Sequence, residues 1–286
     1  MSGQTRGPYR AGNWAGRQAG ITAISLPRAV RRPAPPTLLL GASLCAAAQQ
    51  TLDVPLAFVG PADSTARRGA EQGLAEAQVQ GEFLGQQYRL DAEPGSAVAI
   101  VAALPADELL KLAAAHPGTP VLNVTAADDG LRDDCRPNLF HVLPSVRMTA
   151  DAVAQWRKAH PDDTLAEARA WHPAFEKYAA SQLNNRYTER FDAPMDDPAW
   201  AGWAAVKLVS DTVAREQAAS PEVLLDALRN RLAFDGQKGV DMSFRSDGQL
   251  RQPLLLVQGE KIVGEAPVRG VVDIEDLDSL GPARCP

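Results

Sequence analysis

The chain has 286 residues, 29 of them lysine or arginine and 35 aspartate or glutamate, for a formal net charge of −6, and 45% of its residues are hydrophobic. That is enough apolar chain for one large domain or two small lobes. The acidic balance excludes electrostatic attachment to nucleic acid or anionic lipid as a driving force.

The first recognisable segment is a leader. Arg28, Arg31 and Arg32 precede an apolar run from Leu38 to Cys45, followed by Ala46, Ala47 and Ala48. A basic stretch, a short apolar stretch and small residues at a cleavage point describe a secretory signal peptide, here residues 1–48 with cleavage near Ala48. The apolar part falls short of the roughly 20 residues that a membrane-spanning helix needs. Leu44 stands where a lipid-attachment motif at Cys45 wants a small residue. The expected product is therefore a soluble periplasmic protein with no membrane insertion once the leader is removed. The leader holds six arginines and no acid, so the mature chain carries 23 basic groups against 35 acidic ones, a net charge of −12.

Strand and helix signals alternate after the leader. Val54 to Val59 reads as a buried strand closed by Gly60-Pro61, and apolar residues at helical spacing from Ser64 to Val79 predict a helix. Phe83 to Leu90 reads as a second strand and Val98 to Ala103 as a third. A helix over Ala106 to Ala115 follows, then short strands at 121–124 and 139–142. Strands alternating with helices of this length predict βαβ units and a parallel sheet covered on both faces. Further on, helices are expected over 149–158, Pro173 to Arg190, Pro198 to Glu216 and Pro221 to Arg231, the last two with Pro in the first turn. Strands return at 240–244, 254–258 and 261–265. Cys135 and Cys285 are the cysteines left after the leader. In an oxidising compartment they are candidates for one disulfide, worth roughly 4–5 kcal/mol in the chain-entropy model, provided their Cα atoms lie close enough.

Several stretches, taken in order, resemble a known family. They are Pro120 to Ala127, Cys135 to His141, Trp171 to Glu176 with Gln182 to Tyr187, Ala199 to Val206, Phe234 to Gly239 and Phe244 to Leu250. Together they resemble the type I periplasmic solute-binding proteins of ABC importers, in the branched-chain amino-acid branch. Within it they are most like proteins associated with PQQ-dependent alcohol oxidation. The resemblance implies two α/β lobes that sandwich a ligand. It also exposes a departure, because only residues 146–170 stand where several βα units of the second lobe belong. The fold class expected is therefore α/β, a type I periplasmic-binding-protein-like parallel sheet flanked by helices, with a truncated second lobe. Residues 49–145 plus 184–235 form the first lobe, 146–183 plus 236–272 the reduced lobe and hinge, and 273–286 a C-terminal tail.

Ligands of open parallel sheets sit beyond the carboxyl ends of the strands. That rule puts Pro61, Asp63 and Ser64 at the rim after the first strand, Leu104 after the third, and Thr125, Ala126 and Ala127 after the fourth. The resemblance implies that the loops matching 102–104 and 123–127 hold a ligand's carboxylate and amine. Asp63 and Ser64 are equally suited to cap the following helix. Asp128, Asp129, Asp133 and Asp134 gather carboxylates at the same rim, but their spacing lacks a calcium-loop pattern, which favours solvated loop acids and no metal. Trp171, His172, Trp200 and Trp203 are candidates either to line a cleft or to pack a core or hinge, and Trp203 is retained as a ligand contact. The mature chain contains no G-x-S-x-G elbow, P-loop, H-E-x-x-H or C-x-x-C. The expectation is a non-catalytic substrate-binding component of an ABC-type importer, without a cofactor, that takes a small-molecule solute to an inner-membrane ABC permease. The alternative is a non-transporting periplasmic interaction or sensor module derived from such a protein.

Overall fold

The computed structural model describes residues 51–285, so the expected signal peptide and its cleavage point lie outside the described residues. Strand β1 (Leu52–Val59) is buried through its centre, as a near-continuous apolar run in a parallel sheet must be. Its side chains alternate between two cores. Val54, Leu56 and Phe58 face one side with helix α1, and Ala57 faces the other.

Helix α1 (Thr65–Leu84) starts at Ser64, whose hydroxyl accepts from the Arg67 amide at 3.2 Å, and stops at Gly85 in a left-handed conformation with φ +66°. The sequence placed Phe83 in the second strand; the helix instead runs through it, because the chain does not turn until Gly85. Phe83 is consequently 85% exposed on the last turn. Strand β2 (Gln86–Asp91) follows, then β3 (Ala99–Ala102), helix α2 (Ala106–Ala115), β4 (Val121–Asn123), the short helix α3 (Asp129–Asp133) and β5 (Leu139–His141). The five strands form one parallel sheet in the order β2-β1-β3-β4-β5. The segment 128–134, read as a loop, contains a helical turn.

The chain then leaves this sheet. Helix α4 (Val146–Ala159), capped by the Ser145 hydroxyl, packs on a three-stranded antiparallel sheet that begins with β6 (Glu167–Arg169). The sequence did not separate β6 from its surroundings; three residues with only one half-buried position give no period to read. The helix expected from Pro173 begins only at Ala180, as α5 (Ala180–Phe191). Residues 173–179 form turns instead. The Asn184 side-chain amide donates to the carbonyls of Pro173 and Phe175, which draws that segment over the helix, and Tyr178 and Ala179 take positive φ.

Helix α6 (Asp197–Glu216) and α7 (Pro221–Asn230) return to the first sheet. α6 lies on α1 with backbone nearly touching backbone. A Cβ added at Gly69 would stand 1.8 Å from the Ala199 carbonyl oxygen, and one at Gly202 would stand 2.1 Å from that of Ala66. The strand expected at 240–244 is replaced by two isolated bridges, Phe234 to Met242 and Phe244 to Leu250. Strands β7 (Leu254–Gln258) and β8 (Lys261–Ala266) complete the antiparallel sheet in the order β6-β7-β8.

Two devices hold the C-terminal tail. Cys135 and Cys285 form a disulfide with their Cα atoms 5.8 Å apart, across 150 residues of sequence. The buried Arg245 guanidinium donates to the carbonyls of Leu277, Leu280 and Gly281 and to the Asp278 carboxylate, at 2.6–2.8 Å. Four acceptors around one planar fork fix the tail's path.

Candidate ligand-binding rim and neighbouring cavities

Strand order 2-1-3-4-5 reverses direction between β1 and β3, and ligands of open α/β sheets are generally held beyond the strand ends at such a switch point. The local sequence shapes it closely. Gly60 takes φ +153°, and a Cβ there would lie 2.7 Å from the Ala103 carbonyl oxygen, so the two strand exits touch at this glycine. Asp63 is exposed; Ser64 and Leu104 are half-buried. The Ser64 hydroxyl also donates to the Pro61 carbonyl at 2.8 Å, so both its donor and one acceptor site serve the turn and cap.

The loop after β4 is held from beneath by side chains that the sequence did not single out. Asn123 Oδ1 accepts from the amides of Thr125 and Ala126, at 3.2 and 2.9 Å, while its Nδ2 donates to the Ala126 carbonyl at 2.7 Å. Arg132, 2% exposed, donates to the carbonyls of Ala126, Asp128 and Leu143 and to Gln249 Oε1. Burial pushes this guanidinium down to about 10 in spite of Asp129, Asp247 and Asp128 nearby. His141, at the end of β5, lies with Nδ1 3.0 Å from Asn123 Nδ2, and burial together with the Arg132 charge keeps its ring neutral. Ala127 gives its carbonyl to the Val146 amide. With those amides and carbonyls engaged, the Thr125 side chain is the half-buried polar group this loop offers at the rim.

Three of the four aspartates of 128–134 make structural contacts. Asp129 Oδ1 accepts from the Arg147 amide at 3.1 Å, Asp133 pairs with Arg147 and Arg284, and Asp134 pairs with Arg136. Among the described residues no group of three or more His, Cys, Asp or Glu is arranged to hold a metal ion. Trp203 does not line a cleft. It is 2% exposed between α1 and α6, and its indole N–H donates to Glu76 Oε2 at 2.9 Å. Helical spacing one turn from Trp200 put it on the inner face of α6, where packing rather than a ligand meets it.

Trp171 and His172 do border a cavity. It has a volume of about 460 Å³ and lies where β6, the β7–β8 turn and the start of α6 converge. Arg169 and Asp197 share its wall. Asp197 accepts from the Trp171 amide at 2.6 Å and lies 3.9 Å from the Arg169 guanidinium, and burial pushes its carboxyl above the ordinary range. The arrangement presents both signs of charge beside an indole. Asp197 carried no sequence signal beyond its place before Pro198 at a helix start.

No family model matches this chain, and no curated protein matches its sequence. Solved structures do match. A branched-chain amino-acid ABC transporter periplasmic ligand-binding protein from Burkholderia xenovorans superposes with a TM-score of 0.66 at 11% identity, over 80% of this chain and 97% of that one. The branched-chain amino-acid substrate-binding protein LivJ from Streptococcus pneumoniae, in complex with isoleucine, gives 0.59 at 12% identity, over 75% and 98%. The leucine-binding protein LivK from Thermotoga maritima gives 0.59 at 11% identity, over 74% and 98%. What is shared at these identities is the fold: an α/β architecture with a helix-flanked parallel sheet, as in type I periplasmic binding proteins.

Proposed function

We propose that this protein is a periplasmic substrate-binding component of an ABC-type importer, binding a small solute without catalysis and presenting it to an inner-membrane permease. The observation that carries this reading is the 2-1-3-4-5 parallel sheet; its order supports a ligand-binding rim beyond the strand ends, to which we assign Asp63, Ser64, Leu104 and Thr125 to Ala127. The structural likeness to solute-binding proteins supports it. Residues 49–145 with 184–235 act as the first lobe. Residues 146–183 with 236–272 act as a shortened second lobe and hinge, built from α4 and the antiparallel sheet, and 273–286 as a tail. A shortened jaw buries less of a ligand, so the solute is small and its affinity modest.

The test is calorimetry and thermal shift on the mature protein with amino acids and short alcohol-derived acids, the latter chosen from the finer resemblance to proteins of PQQ-dependent alcohol oxidation. At least one solute is expected to bind and raise the melting temperature, and Thr125→Trp is expected to abolish that binding while leaving the fold intact. Silence across the panel would sink the proposal. In a periplasmic pull-down, capture of a dehydrogenase or sensor in place of a permease would favour the interaction-module alternative.

A further inference from the structure

We infer that the cavity walled by Lys238, Lys177 and Arg269 binds a small organic carboxylate, at a site separate from the rim of the parallel sheet. The cavity has a volume of about 360 Å³ and lies between the turn at 238–240 and the chain leaving β8. That size falls inside the roughly 300–1,000 Å³ typical of small-molecule sites.

Charge is the first argument. The wall carries three basic side chains and one carboxylate, Glu265, and that carboxylate is already paired with Lys177. Arg269 is exposed and makes no ion pair among the described residues. An acidic protein thus concentrates positive charge in one of its concavities, with a guanidinium whose fork matches a carboxylate in two parallel hydrogen bonds.

The buried lysine is the second. Lys238 is 2% exposed, and its ammonium donates to Gln252 Oε1 at 2.8 Å and to the Pro253 carbonyl at 3.0 Å, with the Trp200 ring centroid 4.1 Å away. All three partners are neutral. The carboxylates that act on it, Asp197 and Glu265, do so through space. A buried charge without an ion-pair partner is costly, and an anion entering the adjoining cavity offsets that cost. Burial pushes this amine down to about 7, although Asp197 and Glu265 act to raise it.

The remaining wall defines the rest of the ligand. The half-exposed Tyr178 ring, Val240 and Ile274 add apolar surface to the wall that carries these basic groups. A carboxylate with a short apolar tail satisfies both. A free alcohol or amine of the same length satisfies only one.

The experiment is titration calorimetry on the mature protein with butyrate and benzoate, against butanol and butylamine as controls. The carboxylates are expected to bind and the controls are not. Arg269→Gln should weaken butyrate binding by about ten-fold or more, the equivalent of one lost charge-assisted hydrogen bond. Because Arg269 is exposed, its melting temperature should not change, so the result does not depend on whether Lys238→Met folds. Thr125→Trp, at the rim, should leave butyrate binding as it was. The inference is overturned if neither carboxylate binds, if Arg269→Gln binds butyrate as tightly as the parent, or if Thr125→Trp abolishes the binding. The first two outcomes leave the rim proposal standing; amino acids that fail to bind leave this one standing, and a short acid whose binding survives Thr125→Trp is assigned to this cavity.

Discussion

Arg132 and Lys238 are both buried cations, and they do opposite things to their surroundings. Arg132 distributes its N–H groups over the carbonyls of Ala126, Asp128 and Leu143 and the Gln249 amide, which rigidifies the loop after β4. Lys238 has only neutral partners in direct contact, and burial pulls its amine down to about 7 from an ordinary value of 10.5. Asp197 and Glu265 pull the other way without restoring it. The unfolded chain therefore holds this proton up to higher pH than the folded one. The folded state suffers the buried charge fully below pH 7 and is relieved of it as pH rises, so Lys238 makes stability increase between about pH 7 and 10.5. Urea unfolding across that range should show the parent gaining stability relative to Lys238→Met as pH rises. A difference that stays constant with pH would contradict the assignment.

Among the described helices, α1 and α6 pack closest, and their contact depends on glycine. Gly69 and Gly202 admit the opposing backbone so closely that a methyl group at either would overlap a carbonyl oxygen. Gly69→Ala should gain a little helix propensity and lose far more to overpacking, a net destabilisation of about 1–3 kcal/mol or more by chemical denaturation. Stability equal to the parent's would mean that the helices part without cost. The same packing explains why Trp203 serves the core. Once α6 is pressed on α1, its inner face has no room for a solute, and only Glu76 meets the indole N–H. Helical period shows which residues share a face. It does not show what that face meets.

The tail closes the whole molecule. The Cys135–Cys285 disulfide spans 150 residues, and the chain-entropy model assigns a ring of that size roughly 5 kcal/mol. Cys285→Ser should lower the unfolding free energy by an amount of that order, less whatever the Arg245 cluster retains, and a reductant should reproduce the loss in the parent. Loss of a few tenths of a kcal/mol or less would show that the noncovalent contacts of the tail, the Arg245 cluster foremost, secure it without the disulfide.

Much of the architecture was legible along the chain because it follows from local rules. The alternation of apolar strands and amphipathic helices through 52–142, the Pro-led helices α6 and α7, and the hairpin of β7 and β8 all reflect period and turn chemistry that neighbouring residues specify. The strand ends from which the candidate rim is argued could be read for the same reason. Three things waited for the tertiary structure. Residues 173–179 turn rather than coil into a helix because Asn184 claims their carbonyls. Residues 240–244 make bridges rather than a ladder, since Met242 pairs singly with Phe234 and Phe244 singly with Leu250, each across a nearby turn. Lys238, between Gln237 and Gly239, looks like any solvated turn lysine until Gln252, Pro253 and Trp200 enclose it. Burial of a charge is decided by what arrives from elsewhere in the chain, and no local pattern encodes that.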